Sequence, residues 1–447
     1  MTNTTLSNCQ QEALDAFLDF IDSDDPWMVI SGFAGSGKSF LVEYMADVAK
    51  NVLNLQRHLS KTYKAPTLYF TATTNKAAAV LTDMLGREAC TIHSLLGLKV
   101  NVDYNTGKQR LVPKSSPKAV TDSIIFIDEA SMINRELLHY INEYQQKSFN
   151  CKLVFIGDPY QLPPVKESPC NVFNAPTNHF FLNEIQRQVV GNPIIQLSAK
   201  YRDVLDDPEL PWPRIDSDNK HIFFYDDRTE FEAAIINSMG KPHNAELHKI
   251  LAWKNNTVRE YNDWIRGMHG YTEPFELNEV MMTNKPLVSK DKIYGATDSL
   301  HRIVDIETWD EWGVEGYKLA TVNAHKRGDV IYVFQPGDWQ DADILLKQFK
   351  KDKNWRAFYH IKETWADLRP IHALTCHKSQ GSTYEEVFVD LDDIGKNTLW
   401  QECARLAYVA VTRASERLHI YGGINNNYPS KKTNELLEKF KNVEHLI

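Results

Sequence analysis

The sequence predicts a doubly wound α/β fold with parallel sheets, divided into two units, and three observations carry that expectation. Short apolar runs alternate with amphipathic helical stretches: WMVI at 27–30, LYFTAT at 68–73, IIFIDE at 124–129 and KLVFIGD at 152–158. Such alternation is the rhythm of a parallel sheet wrapped by helices. The rhythm lapses after residue 270 and resumes at 385–391 with EEVFVDL, a helix around 403–408 and RLHIYGG at 417–423. At 447 residues the chain has room for about three domains of roughly 150 residues.

Composition narrows the class before any motif is read. Hydrophobic residues make up 43% and charged residues 24%, as in soluble globular proteins. No run of about 18 apolar residues occurs, and the start MTNTTLSNCQQEA lacks the basic and apolar regions of a signal peptide. A cytoplasmic protein is expected. The six cysteines stand far apart, without a C-x-x-C pair, and read as free thiols rather than zinc ligands. A net charge of -9 disfavours coating of nucleic acid by bulk attraction, so any such binding must use a local groove.

Taken in order, residues 10–20 predict an amphipathic helix, SDDP at 23–26 a turn and WMVI a strand, followed by a glycine-rich loop and a second helix. Between 97 and 118 the string LKVNVDYNTGKQRLVPK alternates apolar and polar residues around Asn105-Thr106-Gly107, which predicts a β-hairpin inserted into the first unit. Acid and proline crowd residues 203–219, an exposed loop by composition. From 271 to 368 short strand-like runs (KLATVNAH, DVIYVF) and the charged helical stretch DADILLKQFKKDK predict a larger insertion that splits the second unit. The expected division is 1–96 and 119–190 for the first unit, with the hairpin at 97–118, and 191–270 and 369–447 for the second, with the insertion at 271–368.

Chemistry enters at Gly32-Phe33-Ala34-Gly35-Ser36-Gly37-Lys38-Ser39, a full G-x-x-x-x-G-K-[ST] match between a strand and a helix. In this context Gly35, Ser36 and Gly37 present backbone N–H groups to phosphates, Lys38 reaches the β- and γ-phosphates, and Ser39 ligates magnesium. The strand at 124–127 delivers Asp128 and Glu129 at its end. Asp128 is placed to hold Mg²⁺, and Glu129 to orient and deprotonate a water. A second carboxylate favours hydrolysis over phosphoryl transfer to another substrate. ATP and Mg²⁺ are the expected ligands.

The class comes from further strings in fixed order: FTATTNKAA at 70–78, TIHSLL at 91–96, GDPYQLPPV at 157–165, LNEIQRQ at 182–188, ALTCHKSQGSTYE at 373–385 and LAYVAVTRAS at 406–415. Together they resemble the motifs of superfamily 1 helicases. TIHSLL, the hairpin after it and HKSQG most resemble the RecD-like (1B) branch, and the compact length and insertion layout look like the Dda-like phage helicases. The motifs are dense in the two α/β units; between 271 and 368 only layout matches.

The resemblance implies two tandem RecA-like P-loop domains, the second carrying an SH3-like β-rich insertion. It implies that Gln10 reads adenine, with its neighbour Gln11 as the alternative, that Gln161 senses the γ-phosphate and that Gly381 lies near it from the second domain. Arg187 and Arg413 are implied as arginine fingers. Thr73, Asn75 and His93 in the first domain, and Asn255, Thr375, His377 and Lys378 in the second, are the implied contacts to single-stranded DNA.

One base-pair step costs about 1.4 kcal/mol of stacking, and the hairpin resembles the pin that splits the duplex in this family. Five of the ten tryptophans, Trp309, Trp312, Trp339, Trp355 and Trp365, fall in the large insertion, and stacking a base on one is worth roughly 1–3 kcal/mol. Resemblance favours 5′-to-3′ travel in one-nucleotide steps by a monomer on single strands and duplex junctions, in a bacterial host, with replication or recombination proteins as partners. The cleft cycle itself gives no direction. The competing class is an ATP-gated single-strand-binding switch, against which Glu129, Arg187 and Arg413 together argue.

Overall fold

The computed structural model describes residues 6–59, 65–103, 108–113, 120–164, 171–174, 178–184, 192–241, 245–289, 292–324 and 330–424. Arg187, Cys170 and the hairpin turn at 104–107 lie outside them.

Ser7 opens the first helix with a capping box: its hydroxyl accepts the Gln10 N–H while the Gln10 side chain accepts the Ser7 N–H, which satisfies two otherwise orphaned donors. The helix, α1 (Asn8–Asp22), buries Ala13, Leu14, Phe17 and Phe20 at the spacing of one helical face. It leads into β1 (Trp27–Gly32), the P-loop and α2 (Lys38–Leu59). Then come β2 (Thr67–Ala72), α3 (Asn75–Leu85), β3 (Ala89–Thr91) and α4 (Ile92–Leu95). The hairpin β4 (Leu98–Asp103) and β5 (Lys108–Pro113) precedes β6 (Thr121–Asp128), α5 (Arg135–Lys147), β7 (Phe149–Gly157) and β8 (His179–Leu182).

Strands β3-β2-β6-β7-β1-β8 form one sheet in that order, with every pairing parallel. Apolar clusters cover both faces, one built on Phe17, Met28, Phe126 and Ile156, the other on Val29, Ile125, Ile141 and Phe155. A sheet buried on both sides explains why its strands read as continuous apolar runs rather than as alternating ones.

The second unit runs through α6 (Pro193–Asp206), β9 (Ile222–Tyr225), α7 (Arg228–Met239), β10 (His248–Ala252) and α8 (Asn255–Met268). The insertion follows, with β11 (Val280–Thr283), β12 (Leu287–Ser289), β13 (Lys292–Gly295), β14 (Leu300–Glu311), β15 (Val314–Asn323), β16 (Ile331–Pro336), α9 (Trp339–Lys351), α10 (Trp355–Thr364) and β17 (Leu368–Pro370). Then β18 (Ala373–Thr375), α11 (Cys376–Ser379), β19 (Tyr384–Asp390), α12 (Leu391–Ile394), α13 (Trp400–Val411) and β20 (Ala414–Tyr421) complete the fold. The order β18-β10-β19-β20-β9 is again wholly parallel, and the insertion interrupts it between α8 and β18. The architecture is two tandem RecA-like α/β domains. The insertion's own sheet, β16-β15-β14-β11-β17, is antiparallel throughout.

One expectation is corrected. Residues 203–219 are not all an exposed loop: α6 continues to Asp206 with Val204 only 1% exposed, and Trp212 and Ile215 pack on the second domain's core. The acid-rich composition masked two apolar anchors. Among the described residues no helix is long and apolar enough to cross a membrane.

Candidate nucleotide cleft and strand-facing ends

The P-loop turns where β1 meets α2, and Gly35 and Gly37 sit at φ 82° and 80°, a region that side-chain-bearing residues enter only under strain. Lys38 Nζ donates to the carbonyls of Gly32 and Phe33 at 2.8 and 2.9 Å, so an incoming phosphate competes with the loop's own oxygens for the ammonium. Gln10 is 2% exposed and its Nε2 donates to Ser36 O at 3.1 Å. Gln11 is exposed and bonds Asp15 instead. Of the two glutamines, Gln10 is therefore the one against the loop.

A cleft of about 420 Å³ opens over this loop, lined by Lys38, Ser39, Asp128, Glu129 and Gln161 from the first domain and by Gly381, Thr383 and Arg413 from the second. Parallel strands put their carboxyl ends there: β6 delivers Asp128 and Glu129, and the loop after β7 delivers Gln161. Glu129 adopts φ 54°, which turns the chain sharply after the strand. Asp128 Oδ1 accepts the Glu129 N–H at 2.9 Å.

Burial raises the Asp128 carboxyl, opposed by the Glu129 N–H and by Lys38. Glu129 is pushed up to about 7, by burial first and by the Asp128 charge next, while Arg413 and Lys38 hold it down. Two adjacent carboxyls in one walled cleft resist joint ionisation, and a cation arriving between them relieves both. Ser39 and Asp128 supply hard oxygens suited to Mg²⁺, and Gln161 Oε1 is buried in the same cleft with no hydrogen-bond partner among the described residues. The residues fit the ion.

From the second domain, Gly381 at φ 73° faces Glu129 closely enough that a Cβ added there would lie 3.6 Å from Oε1. Arg413 is 5% exposed and rests on its own domain, Nε on Val409 O at 3.1 Å and NH1 on Ser382 O at 2.9 Å. Further contacts cross the domain boundary. Arg405 NH1 bonds Pro159 O and Gln161 O at 2.5 and 2.8 Å, Gln380 Nε2 bonds Leu162 O at 3.2 Å, and Leu162 joins the second domain's core at 1% exposure. Burying such a leucine is worth about 1.5–3 kcal/mol. Sequence reasoning missed Arg405 and Tyr408, although both lie in or beside the LAYVAVTRAS string. Only their partners, some 250 positions away, show what they do.

The residues implied as strand contacts gather at the carboxyl ends of β2, β3, β10 and β18, two neighbouring strands at one edge of each sheet. Asn75 and Asn255 are exposed. Thr73 donates to Glu129 O at 3.3 Å, which ties this edge to the cleft. Thr375 caps α11 through Lys378 N, and Lys378 Nζ bonds Asn284 and lies 3.4 Å from Asp298 in the insertion. His93 and His377 are both shifted down by burial and are neutral near pH 7.

Among the tryptophans of the insertion, Trp355 and Trp365 are core at 8% and 1% exposure, and Trp339 packs on the same cluster as Trp365. Trp309 and Trp312 are exposed, at 46% and 48%. Trp339 is half-buried, so Trp309 and Trp312 are the most exposed of the five.

Comparison with known proteins agrees with this geometry. A model described as an AAA domain matches residues 5–204, and one described as a UvrD-like helicase C-terminal domain matches 370–421. An uncharacterized protein of Acanthamoeba polyphaga mimivirus is 26% identical over 92% of this chain and 98% of its own length. The ATP-dependent DNA helicase dda of Enterobacteria phage T4 is 22% identical over the same shares, 92% and 98%. The crystal structure of Pif1 helicase from Bacteroides in complex with ADP-AlF3 and ssDNA aligns with a TM-score of 0.51 at 16% identity, covering 98% of each chain, a likeness of fold. With the ordered motifs, the paired parallel sheets and both domain matches in hand, the chain belongs to the superfamily 1 helicases, in their RecD-like branch.

Proposed function

We propose that this chain is an ATP-driven motor that travels along single-stranded DNA, 5′ to 3′, and separates duplex at the β4–β5 hairpin. The observation that carries the reading is the shared cleft, in which Lys38 and Glu129 of one domain face Gly381 and Arg413 of the other. The protein named dda is described as an ATP-dependent DNA helicase, and the Bacteroides Pif1 was solved with a nucleotide analogue and a single strand, which supports the same activity here.

In this reading Lys38 and the P-loop amides hold the ATP phosphates, and Ser39 and Asp128 would hold Mg²⁺, which would supply positive charge to offset that of the phosphates. Glu129, ionised above about pH 7, takes the proton of the attacking water while Gln161 orients it. Arg413, and Arg187 with it, spread positive charge over the transferring group once the cleft closes. Closing and opening shift one sheet edge against the other, so Thr73, Asn75 and His93 grip the strand in alternation with Asn255, Thr375, His377 and Lys378. The hairpin is braced by the Tyr140 hydroxyl, which donates to Leu111 O at 2.6 Å, and so resists bending as strands part around it. The division into units at 1–96, 97–118, 119–190, 191–270, 271–368 and 369–447, with an SH3-like insertion, belongs to the same reading.

The test is ATP turnover with and without single-stranded DNA for the parent, Lys38→Ala and Glu129→Gln. Strong stimulation of the parent and near-complete loss in both variants are expected. Slow turnover indifferent to DNA would instead indicate a nucleotide-gated binding switch.

A further inference from the structure

One polar link between the two domains takes no part in the chemistry proposed above. Tyr408 sits on α13 of the second domain, 1% exposed. Its hydroxyl accepts the N–H of Ala34, in the P-loop, at 3.0 Å, and donates to Asp158 Oδ2 at 2.7 Å. Asp158 is wholly buried; its other oxygen accepts the Tyr160 N–H at 3.0 Å, so it shapes the loop that carries Gln161. One hydroxyl thus joins the P-loop, the Gln161 loop and α13.

The surroundings make this joint stiff. Arg405, one turn earlier on the same face of α13, holds the carbonyls of Pro159 and Gln161. Phe33 of the P-loop packs on Tyr160 with ring centroids 5.8 Å apart, and the Arg202 guanidinium carbon of α6 lies over the Phe33 ring, 3.2 Å from its centroid. Arg413 stands five residues beyond Tyr408, just past the end of α13. A helix fixed at Tyr408 moves its end as a unit, so whatever displaces the P-loop or the Asp158 loop displaces Arg413 as well.

We propose that Tyr408 is a positioning residue that couples the state of the nucleotide cleft to movement of the second domain on the strand. The inference rests on the motor reading above. Its hydroxyl contacts neither the cleft residues' reacting atoms nor the strand-facing ends; it acts through Ala34, Asp158 and the helix that carries Arg413. Coupling of this kind between two sites typically changes the response of one to the other by about 5- to 150-fold, and its loss appears in DNA stimulation rather than in basal turnover.

Tyr408→Phe keeps the ring and removes the hydroxyl. ATP hydrolysis is measured at saturating and zero oligo(dT), with thermal unfolding as a check on folding. The expected result is basal turnover and KM for ATP within about twofold of the parent and DNA-stimulated kcat lowered about tenfold. Because Phe leaves a buried carboxylate oxygen without its donor, the double variant Tyr408→Phe/Asp158→Asn is measured too and is expected to lose no more stimulation than Tyr408→Phe alone. Parental stimulation in both variants overturns the proposal, as does a proportional fall of basal and stimulated rates, which would mark the hydroxyl as part of the chemistry or the fold. A parent that DNA does not stimulate overturns the motor reading itself and the proposal with it.

Discussion

Gly381 of the second domain stands directly across the cleft from Glu129 of the first, and a methyl group at position 381 would come within 3.6 Å of the Glu129 Oε1. With φ at 73°, an alanine there also strains the backbone by about 1–2 kcal/mol. Gly381→Ala is therefore expected to lower DNA-stimulated kcat at least tenfold with a small loss of thermal stability. Steady-state kinetics beside a melting curve separate the two effects, and an unchanged kcat would mean that this face of the cleft does not close on Glu129.

The raised Glu129 carboxyl predicts a pH profile. Its value of about 7 leaves the base largely protonated below that pH. Since kcat/KM reports the free enzyme, the rate should rise about tenfold per unit up to roughly pH 7 and level off above it. Buffers spanning pH 5.5 to 8.5 suffice for the measurement. A flat profile would remove Glu129 from the role of base.

A second carboxylate shifts the opposite way and concerns stability. Burial alone would raise Glu386, but hydrogen bonds from His419, Ser238 and Arg417 outweigh it and bring it to about 2, with His419 Nε2 and Arg417 Nε each 2.8 Å away. A carboxylate depressed below its unfolded value stabilises the fold above that value and loses this contribution as pH falls through the folded one. Glu386→Gln should lower Tm by several degrees at pH 7, and the gap from the parent should narrow as pH drops below about 4.5. A gap that stays constant down to the limit of solubility would contradict the assignment.

Deleting residues 101–110 tests the hairpin. Its only described hydroxyl brace reaches Leu111, beyond the deleted segment, so the first domain should remain folded. Loss of strand separation with DNA-stimulated ATPase retained is expected in a displacement assay. Equal loss of both activities would show that the hairpin serves the motor rather than the wedge.

Much of this was legible in the sequence for physical reasons. A sheet covered on both faces needs continuous apolar strands, and a phosphate cradle needs glycine where φ is positive, so WMVI, IIFID and Gly32 to Ser39 announce themselves locally. In the insertion the runs KLATVNAH, DVIYVF and DADILLKQFKKDK announced β15, β16 and α9, but not the remaining strands or α10, whose Ile361 is buried with Val314 and Phe334. Trp212 and Ile215 were hidden by the acids and prolines around them. The contacts of Tyr408, Arg405 and Arg202 were illegible because each depends on a partner more than 160 residues away, and nothing in a single string encodes that distance.

The central claim is that hydrolysis uses a carboxylate from one domain and a guanidinium from the other, and Arg413→Ala measures it most directly. With fluorescent nucleotide binding followed alongside single-turnover hydrolysis on saturating single-stranded DNA, the account predicts nucleotide affinity within a few-fold of the parent and a chemical step slowed by about 10³-fold or more. Hydrolysis at the parental rate would contradict it.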